Sequence, residues 1–558
     1  MKKSSKILAL LLVCIMIVSV TACNKTDNGG GATTSGGSEA QPSTSASGTQ
    51  PSASTGGEAQ TSGGGAQTSD GGGSTASTRD TLTVSIPSDF GSLNPSATSF
   101  TPAPAYLIQE AMWDVSFTGE MIFRLAESYE KITPDHWTIH LREGVKFNNG
   151  NPFTASDVLF TLQVYRNSGL QSTKAQVMDL DRTKAIDDYT LDFYWDYWRT
   201  NMEGILSDTL IFDEESYEEQ RAGSNPIGTG PYILKEYVVN SYINLEARDD
   251  YWGDPPAIKN INLRVMAESS QVLNAVETHE LDIGLLARSD IAYANTIPGV
   301  YTEGRYEGNW TTVRYNIHEP SFFYHNPEAR YAVCYAIDTQ AIIDLVYLGM
   351  GSRMHSPITN TCLDYEARFD DLHDTYKYGF NLDLARQYAD SSGLTGRDIT
   401  LITNGTADHV TIAELIQNML KEINVNVTIN NYDPAGYTAA ITDRASGWDM
   451  SVTSAINPGN RVGATLVNGI RFYPDMQLPG LFTELDRFME IMLDAFTEVD
   501  DQKRSELNYE LFGLYGSACF VFALCDVTNT YAYSEDVDYS TVVYSIQGRV
   551  IYRDIAFK

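Results

Sequence analysis

Apolar and polar residues alternate, and then recur at helical spacing, between residues 137 and 162. Ile139 and Leu141 alternate with polar neighbours, which is the period of a half-buried strand. A loop rich in Asn, Gly and Pro follows, and Thr154 is then placed to cap a helix together with Asp157, three residues later. Apolar residues at helical spacing continue to the end of the segment. The pattern predicts a strand, a turn and a capped helix.

A β-α-β pattern lies between residues 398 and 430. Two short apolar strands, 399–402 and 425–429, flank a stretch whose apolar residues recur at helical spacing. Strands joined by one crossover helix should be parallel, and open parallel sheets bind ligands beyond the carboxyl ends of their strands. A third candidate strand, 449–454, also ends in a polar loop. Both loops offer neutral hydrogen-bonding groups, although loops that only cap a helix would look the same. The candidate ligand contacts are Asn404, Gly405, Thr406, Asn457 and Asn460.

The first residues differ in composition from the rest of the chain. Lysines at the start, an apolar run over 7–20 and small residues before Cys23 resemble a bacterial lipoprotein signal. We therefore expect a signal peptide over residues 1–22 and lipid attached to Cys23; an ordinary signal peptide or an uncleaved anchor is the alternative. Residues 23–79 are rich in Gly, Ser and Thr and should form a disordered tether with a span of about 40 Å.

The remaining chain, residues 80–558, is long enough for two or three domains. The formal net charge of −34 argues against nucleic acid or an anionic membrane surface as a partner. Motifs of serine hydrolases, zinc peptidases, phosphate loops and dinucleotide sites do not occur, so we expect no catalytic residue, cofactor or metal site. The sequence leaves the state of Cys334 and Cys362 open, whereas the apolar run around Cys519 and Cys525 favours buried free thiols.

Two segments carry several ordered motifs. Residues 141–158 contain Leu-Arg, Gly-Val-x-Phe, Asn-Gly, Pro-Phe-Thr-Ala and Asp-Val in that order, and residues 228–252 begin Gly-Thr-Gly-Pro-Tyr and end Tyr-Trp. Both segments resemble those of extracellular solute-binding protein family 5, the substrate-binding proteins of bacterial oligopeptide and dipeptide ABC importers. The resemblance implies a non-enzymatic, monomeric receptor. It would be anchored by lipid at the outer face of the cytoplasmic membrane and would deliver a peptide to an ABC permease.

The resemblance also implies an α/β fold of the type II periplasmic-binding-protein class, with two lobes that close on a ligand by hinge motion and an extra inserted domain. Domain I would comprise residues 80–118, 227–308 and 526–558, domain II would be the insertion 119–226, and domain III would be 309–525. In the family, the loop after the first strand lines the ligand cleft, although an ordinary surface loop is the alternative. This adds three candidate ligand contacts: Thr98, Ser99 and Phe100.

One departure from the family concerns the ligand. Peptide-binding members usually carry an aspartate, which pairs with the peptide's ammonium group, in the loop that corresponds to residues 455–458; here this loop reads Ala-Ile-Asn-Pro. A buried ammonium without a charge partner costs several kcal/mol. We therefore expect a peptide ligand, with an oligosaccharide as the alternative. An aromatic hairpin over 184–198 either packs as core or offers a stacking surface to a sugar. A cell-surface hydrolase would need two carboxylates facing each other across the cleft.

Overall fold

The structure is a computed structural model of the chain. It describes residues 79–98, 101–168, 175–196, 202–221, 225–318, 320–356, 358–360, 362–372, 377, 379–443, 447–456, 485–519, 521–544 and 550–558. All of these residues belong to one compact unit, Ser77–Lys558. Within these ranges, no helix has both the length and the apolar character needed to cross a membrane.

The described residues contain strands from two to sixteen residues long. They are β1 (Thr81–Ile86), β2 (Trp113–Val115), β3 (Met121–Phe123), β4 (Ala126–Thr133), β5 (His136–Leu141), β6 (Lys184–Asp187), β7 (Thr190–Tyr194), β8 (Tyr232–Val238), β9 (Tyr242–Ala247), β10 (Asn260–Val265), β11 (Ile283–Leu286), β12 (Val300–Tyr315), β13 (Gly351–Arg353), β14 (Asp398–Thr403), β15 (Asn426–Asn431), β16 (Met450–Ile456), β17 (Val521–Ser534), β18 (Val543–Tyr544) and β19 (Val550–Ile551).

The α-helices of the same ranges alternate with these strands, as in other α/β proteins. They are α1 (Ala105–Ile108), α2 (Ala155–Asn167), α3 (Met202–Ser207), α4 (Tyr217–Gln220), α5 (Ser269–Glu277), α6 (Ile291–Ala294), α7 (Pro327–Ala336), α8 (Thr339–Val346), α9 (Leu382–Ser392), α10 (Ala407–Lys421), α11 (Pro434–Thr442), α12 (Leu485–Thr497) and α13 (Asp501–Ala518).

Eleven strands form one mixed sheet. Its order is β15-β14-β16-β12-β17-β11-β1-β10-β9-β8, and β13 pairs with β17. Because β14 is parallel to β15 and is followed by α10, the predicted β-α-β unit is confirmed, as is the strand predicted over 449–454. This last strand, β16, extends to Ile456. The expectation that Ala455 and Ile456 lie in a loop is therefore wrong, since both continue the ladder opposite Trp310 and Asn309.

A second sheet has four strands in the order β4-β5-β7-β6. It contains the predicted strand at Ile139, and the predicted helix α2 begins with a capping box in which the Asp157 carboxylate accepts the Thr154 N–H at 2.8 Å. Ile139 and Val158 are fully buried between the sheet and the helix. The strand, turn and capped helix predicted for this segment are confirmed.

The described apolar core forms three main clusters. One surrounds β12, β14, β16 and helices α7, α8 and α10, a second lies on the four-stranded sheet, and a third lies around β1, β9 and β10. The four-stranded sheet lies within residues 119–226, the range expected for the inserted domain. The division into three domains at the expected boundaries stays a prediction.

Candidate functional site

Strand directions bring the ends of four strands toward one gap. β1 and β11 are parallel, and β11 is antiparallel to β17. β12 is antiparallel to both β17 and β16, and β16 is parallel to β14. β1 and β11 therefore run in the direction of β12, whereas β14 and β16 run against it. The carboxyl ends of the two pairs point toward each other, and carboxyl ends of this kind are where open α/β sheets bind ligands.

The register of paired residues gives the separation of these strand ends along β12. Leu286, at the end of β11, is level with Gly304 of β12 through their common partner on β17. Thr403, at the end of β14, is level with Val313 of β12 through their common partner on β16. Positions 304 and 313 are nine residues apart. At about 3.3 Å per residue, that separation is about 30 Å along the strand. The long strands β12 and β17 cross the gap.

Arg288 and Asp408 join the two sides of the gap. Arg288 lies in the loop after β11, and Asp408 lies in the first turn of α10. Arg288 Nη1 lies 2.8 Å from Asp408 Oδ2, and the two side chains are 19% and 42% exposed. The guanidinium group also packs 4.6 Å from the ring centroid of Tyr347, whose hydroxyl is 2.7 Å from that of Thr311 on β12. Tyr347 therefore links the ion pair to β12, one of the two strands that cross the gap.

The loop after β14 has a defined shape. Asn404 Oδ1 accepts a hydrogen bond from the Thr406 hydroxyl at 2.8 Å. Gly405 has a φ of +75°, and a Cβ at this position would lie 2.7 Å from the carbonyl oxygen of Tyr432. Both the positive φ and the close approach require glycine. Asn404 and Gly405 thus fix the path of the loop, and the side chain of Thr406 is exposed at the gap.

His409 connects this loop to β16. Its Nδ1 lies 2.7 Å from Asn404 Oδ1, its Nε2 lies 3.1 Å from Ser454 Oγ, and the residue is 5% exposed. Burial lowers the pKa of His409 below its usual value, so the imidazole is neutral near pH 7. Because the amide oxygen of Asn404 only accepts, Nδ1 carries the proton and Nε2 accepts from the Ser454 hydroxyl. His409 therefore holds the loop after β14 against strand β16 without adding charge.

The predicted ligand contacts are only partly within the described residues. Asn404, Gly405 and Thr406 lie at the gap, and Thr98 lies on the loop that follows β1 toward the same gap. The positions of Ser99, Phe100, Asn457, Asn460 and Cys23 lie outside the described residues. Strand direction thus places the loop that carries Thr98 and the loop that carries Asn404 on opposite sides of one gap. That any of these residues binds a ligand stays a prediction.

Sequence reasoning missed Arg288 and Asp408. A signal for Arg288 existed, because Ile283–Leu286 is a short apolar run, and the rule that ligands bind beyond strand ends points to the residues after it. Nothing in the sequence pairs Arg288 with Asp408, which is 120 positions away. By residue type alone, His318, His325, His355 and His409 are candidate metal ligands, although an exposed or core histidine is the commoner case. In the described part of the chain, no group of three His, Cys, Asp or Glu residues is placed to hold a metal ion.

The aromatic hairpin packs mainly as core. Phe193 and Trp195 are fully buried. The ring of Tyr194 stacks on His136 with centroids 4.1 Å apart, and the guanidinium of Arg182 lies 4.5 Å from the Tyr194 centroid. The rings of Phe193 and Trp195 are therefore not accessible to a sugar, and the ring of Tyr194 already packs against His136 and Arg182. Tyr197 and Trp198 lie outside the described residues.

Comparison with known proteins identifies relatives of this fold. The chain is 24% identical over 331 residues to the oligopeptide-binding protein AppA of Bacillus subtilis, which covers 54% of this chain and 60% of that relative. The structure of NikA from Brucella suis in complex with Fe(III)-EDTA has a TM-score of 0.75 at 19% identity and covers 86% of this chain and 100% of that one. The structure of AppA from Bacillus subtilis in complex with a nonapeptide has a TM-score of 0.68 at 18% identity, with 86% and 99% covered.

These structures share the mixed α/β fold of the type II periplasmic binding proteins, which confirms the predicted fold class. The sequence profile described as bacterial extracellular solute-binding proteins, family 5 Middle, matches residues 120–465, which is more than half of the chain. The chain belongs to family 5 of the bacterial extracellular solute-binding proteins.

Proposed function

We propose that this chain is the substrate-binding protein of an ABC importer. It captures a small peptide between two lobes, closes by hinge motion and delivers the peptide to a membrane permease. Family membership supports a transport-related binding protein rather than an enzyme. The observation that carries the proposal is the gap itself: carboxyl ends of strands approach it from both sides, and two long strands cross it. The expected boundaries of domain III, residues 309 and 525, also lie on β12 and β17 where these strands cross the gap.

The hinge lies where β12 and β17 cross the gap. Their pairing shifts register between Tyr306 and Trp310, and again between Thr311 and Thr312. Register shifts interrupt the ladder and bend the strand locally. Both shifts fall between the levels of Gly304 and Val313, which mark the two sides of the gap. Rotation of one lobe at these positions leaves the rest of each ladder intact.

The ion pair between Arg288 and Asp408 belongs to the closed form. Its two residues come from opposite sides of the gap, so lobe opening would separate them. A ligand that bridges the same two sides stabilises the closed form by its differential affinity, and the ion pair adds to this stabilisation. The pair also neutralises both charges at this edge of the gap.

The ligand we propose is a peptide, because the relatives named above include an oligopeptide-binding protein and a protein with a bound nonapeptide. Strand β16 ends without a carboxylate at Ala455 and Ile456, so another acid must pair with the ammonium group of the peptide. Asp290 lies at the gap, next to the loop that carries Arg288, and is the described candidate for this role. An oligosaccharide remains the alternative ligand, since the loop after β14 offers neutral polar groups.

The proposed location is the outer face of the cytoplasmic membrane. The sequence before Cys23 supports cleavage there and attachment of lipid to its sulfur, and residues 23–79 would then form the tether. A permease partner follows from the proposed role in import. The compact unit Ser77–Lys558 would reach that partner at the end of the tether.

A thermal-shift screen of the compact unit tests the proposed ligand. Di- to hexapeptides, their N-acetylated forms and short oligosaccharides are added, each at concentrations up to millimolar. A ligand at about 100 times its Kd stabilises the protein by about 2.7 kcal/mol, which raises Tm measurably. A shift with free peptides, reduced for the acetylated forms, supports peptide capture through the ammonium group. A shift with sugars alone contradicts the peptide proposal, and no shift with either class contradicts both.

A further inference from the structure

Two cysteines far apart in sequence meet in the core. Cys334 lies on α7, and Cys519 follows the last residue of α13. Their Sγ atoms are 3.2 Å apart, although the residues are 185 positions apart in the chain. Both residues are buried, with 0% and 2% of their surface exposed. The side chains therefore already point at each other within the packed core.

The backbone at Cys519 adds a second observation. Cys519 has φ of 48° and ψ of 44°, the left-handed conformation that ends many helices. Glycine is the usual residue at such a position, because a side chain is disfavoured there. A cysteine in this conformation is held by its surroundings, and the contact of its sulfur with Cys334 is part of them.

The surroundings favour a thiolate on one of the two sulfurs. Arg330 is fully buried, and its Nη2 donates to the carbonyl oxygen of Ala518 at 2.7 Å, next to Cys519. The hydrogen bond from Cys334 and the positive charge of Arg330 lower the pKa of Cys519, whereas burial raises the pKa of Cys334. Thiolates, and not thiols, attack disulfides. Cys519 is therefore the more reactive member of the pair.

We propose that Cys334 and Cys519 form a disulfide bond in the exported protein. This inference rests on the proposed location outside the cytoplasm, where disulfides form and persist. The bond would join α7 to the chain just before β17, the strand that crosses the gap. The bond would thus link the start of β17, one of the two proposed hinge strands, to helix α7 of the same lobe.

The bond forms by exchange with a disulfide oxidant, such as a disulfide-bonded oxidoreductase of the cell envelope. The Cys519 thiolate attacks one sulfur of the oxidant, forms a mixed disulfide and releases one oxidant sulfur as a thiolate. The Cys334 thiolate then attacks the Cys519 sulfur and releases the second oxidant sulfur. The two cysteines lose two electrons, the oxidant gains them, and the two protons pass to the released thiolates. Because both cysteines are buried in the folded core, exchange requires a local opening that exposes the Cys519 sulfur to the oxidant.

Thiol labelling of the exported protein tests the bond. The full chain is produced with its own leader, recovered from the cell envelope, denatured and alkylated before and after reduction. Downstream of the expected cleavage site, the chain has four core cysteines: Cys334, Cys362, Cys519 and Cys525. The expected result is alkylation of Cys362 and Cys525 without reduction and of all four after it. Peptide mapping should find the peptide of Cys334 linked to that of Cys519.

Serine variants provide matched controls. Cys334→Ser should leave Cys519 open to alkylation without reduction, and it should lower Tm by several degrees, because a cross-link over so long a loop stabilises the fold. Cys362→Ser should remove one labelled thiol and leave the linked peptides unchanged. Alkylation of all four thiols in the unreduced wild type, or a link to Cys362 or Cys525, would overturn the proposal even where a variant fails to fold. Ligand binding by the reduced protein, measured by thermal shift, reports on the proposed function separately.

Discussion

Asp408→Asn is expected to weaken ligand binding by destabilising the closed form. The substitution keeps the size of the side chain and removes the charge that faces Arg288 at 2.8 Å. Exposed ion pairs contribute about 0.2–1 kcal/mol. With the two side chains 19% and 42% exposed, solvent screens this pair in part, and we take a contribution of about 1 kcal/mol, at the upper end of that range.

If the pair forms only when the lobes close, that free energy enters the closing equilibrium. A change of about 1 kcal/mol is roughly a fivefold change in an equilibrium constant. The Kd for the ligand found by thermal shift should therefore rise up to about fivefold in Asp408→Asn, mainly through faster dissociation. Isothermal titration calorimetry and stopped-flow fluorescence measure these two quantities.

A double-mutant cycle separates the pair from other effects of the substitutions. Asp408→Asn, Arg288→Gln and the double variant should show a coupling energy of about 1 kcal/mol in ligand binding. Asp383→Asn is the matched control, because Asp383 forms an exposed pair with Arg386 at 3.6 Å, away from the gap. The reasoning is refuted if the coupling energy in binding is zero, or if the same coupling appears in the stability of the ligand-free protein.

Three further outcomes follow from single residues. Burial lowers the pKa of His409, so the unfolded state binds a proton at this residue more tightly than the folded state does. The folding stability that comes from the neutral imidazole is therefore present above about pH 6.5 and is lost as the pH falls below that value. Urea unfolding should show a smaller loss of stability on acidification in His409→Gln. Gly405→Ala should destabilise by about 1–3 kcal/mol, and more than Gly396→Ala, because both positions have positive φ but only the first Cβ would meet the carbonyl oxygen of Tyr432. Arg553→Gln should cost about 3–5 kcal/mol, since it removes the cation that lies 3.1 Å from the fully buried carboxylate of Glu110; equal stability of variant and wild type in urea would contradict this.

The sequence pattern predicts an element correctly where the interactions that form the element join residues close together in the chain. The β-α-β unit follows from the period of its apolar residues, and the capping box of α2 follows from Thr154 and Asp157, three positions apart. The prediction that β16 ends at Ser454 is wrong, because the turn signal of the Asn-Pro pair at 457–458 outweighs the strand preference of Ile456 in the sequence pattern. The pairing of Ala455 and Ile456 with β12, more than 140 positions earlier, decides their conformation.

The candidate site could be predicted only in part for the same reason. The rule on carboxyl ends of parallel strands selects the loop at Asn404 from sequence, because one β-α-β unit sets the direction of its strand. The opposing loop at Arg288 needs the order of the whole sheet, which joins strands from both ends of the chain. The ion pair with Asp408 and the thiol pair of Cys334 and Cys519 likewise depend on long-range packing.

Hinge closure on a captured ligand is the central claim, and small-angle X-ray scattering tests it most directly. The compact unit is measured alone and with a saturating amount of the peptide that gives the largest thermal shift. The account predicts a smaller radius of gyration with the peptide, and a smaller decrease for Asp408→Asn at a subsaturating concentration. A bound peptide that leaves the radius of gyration unchanged would contradict closure across the gap.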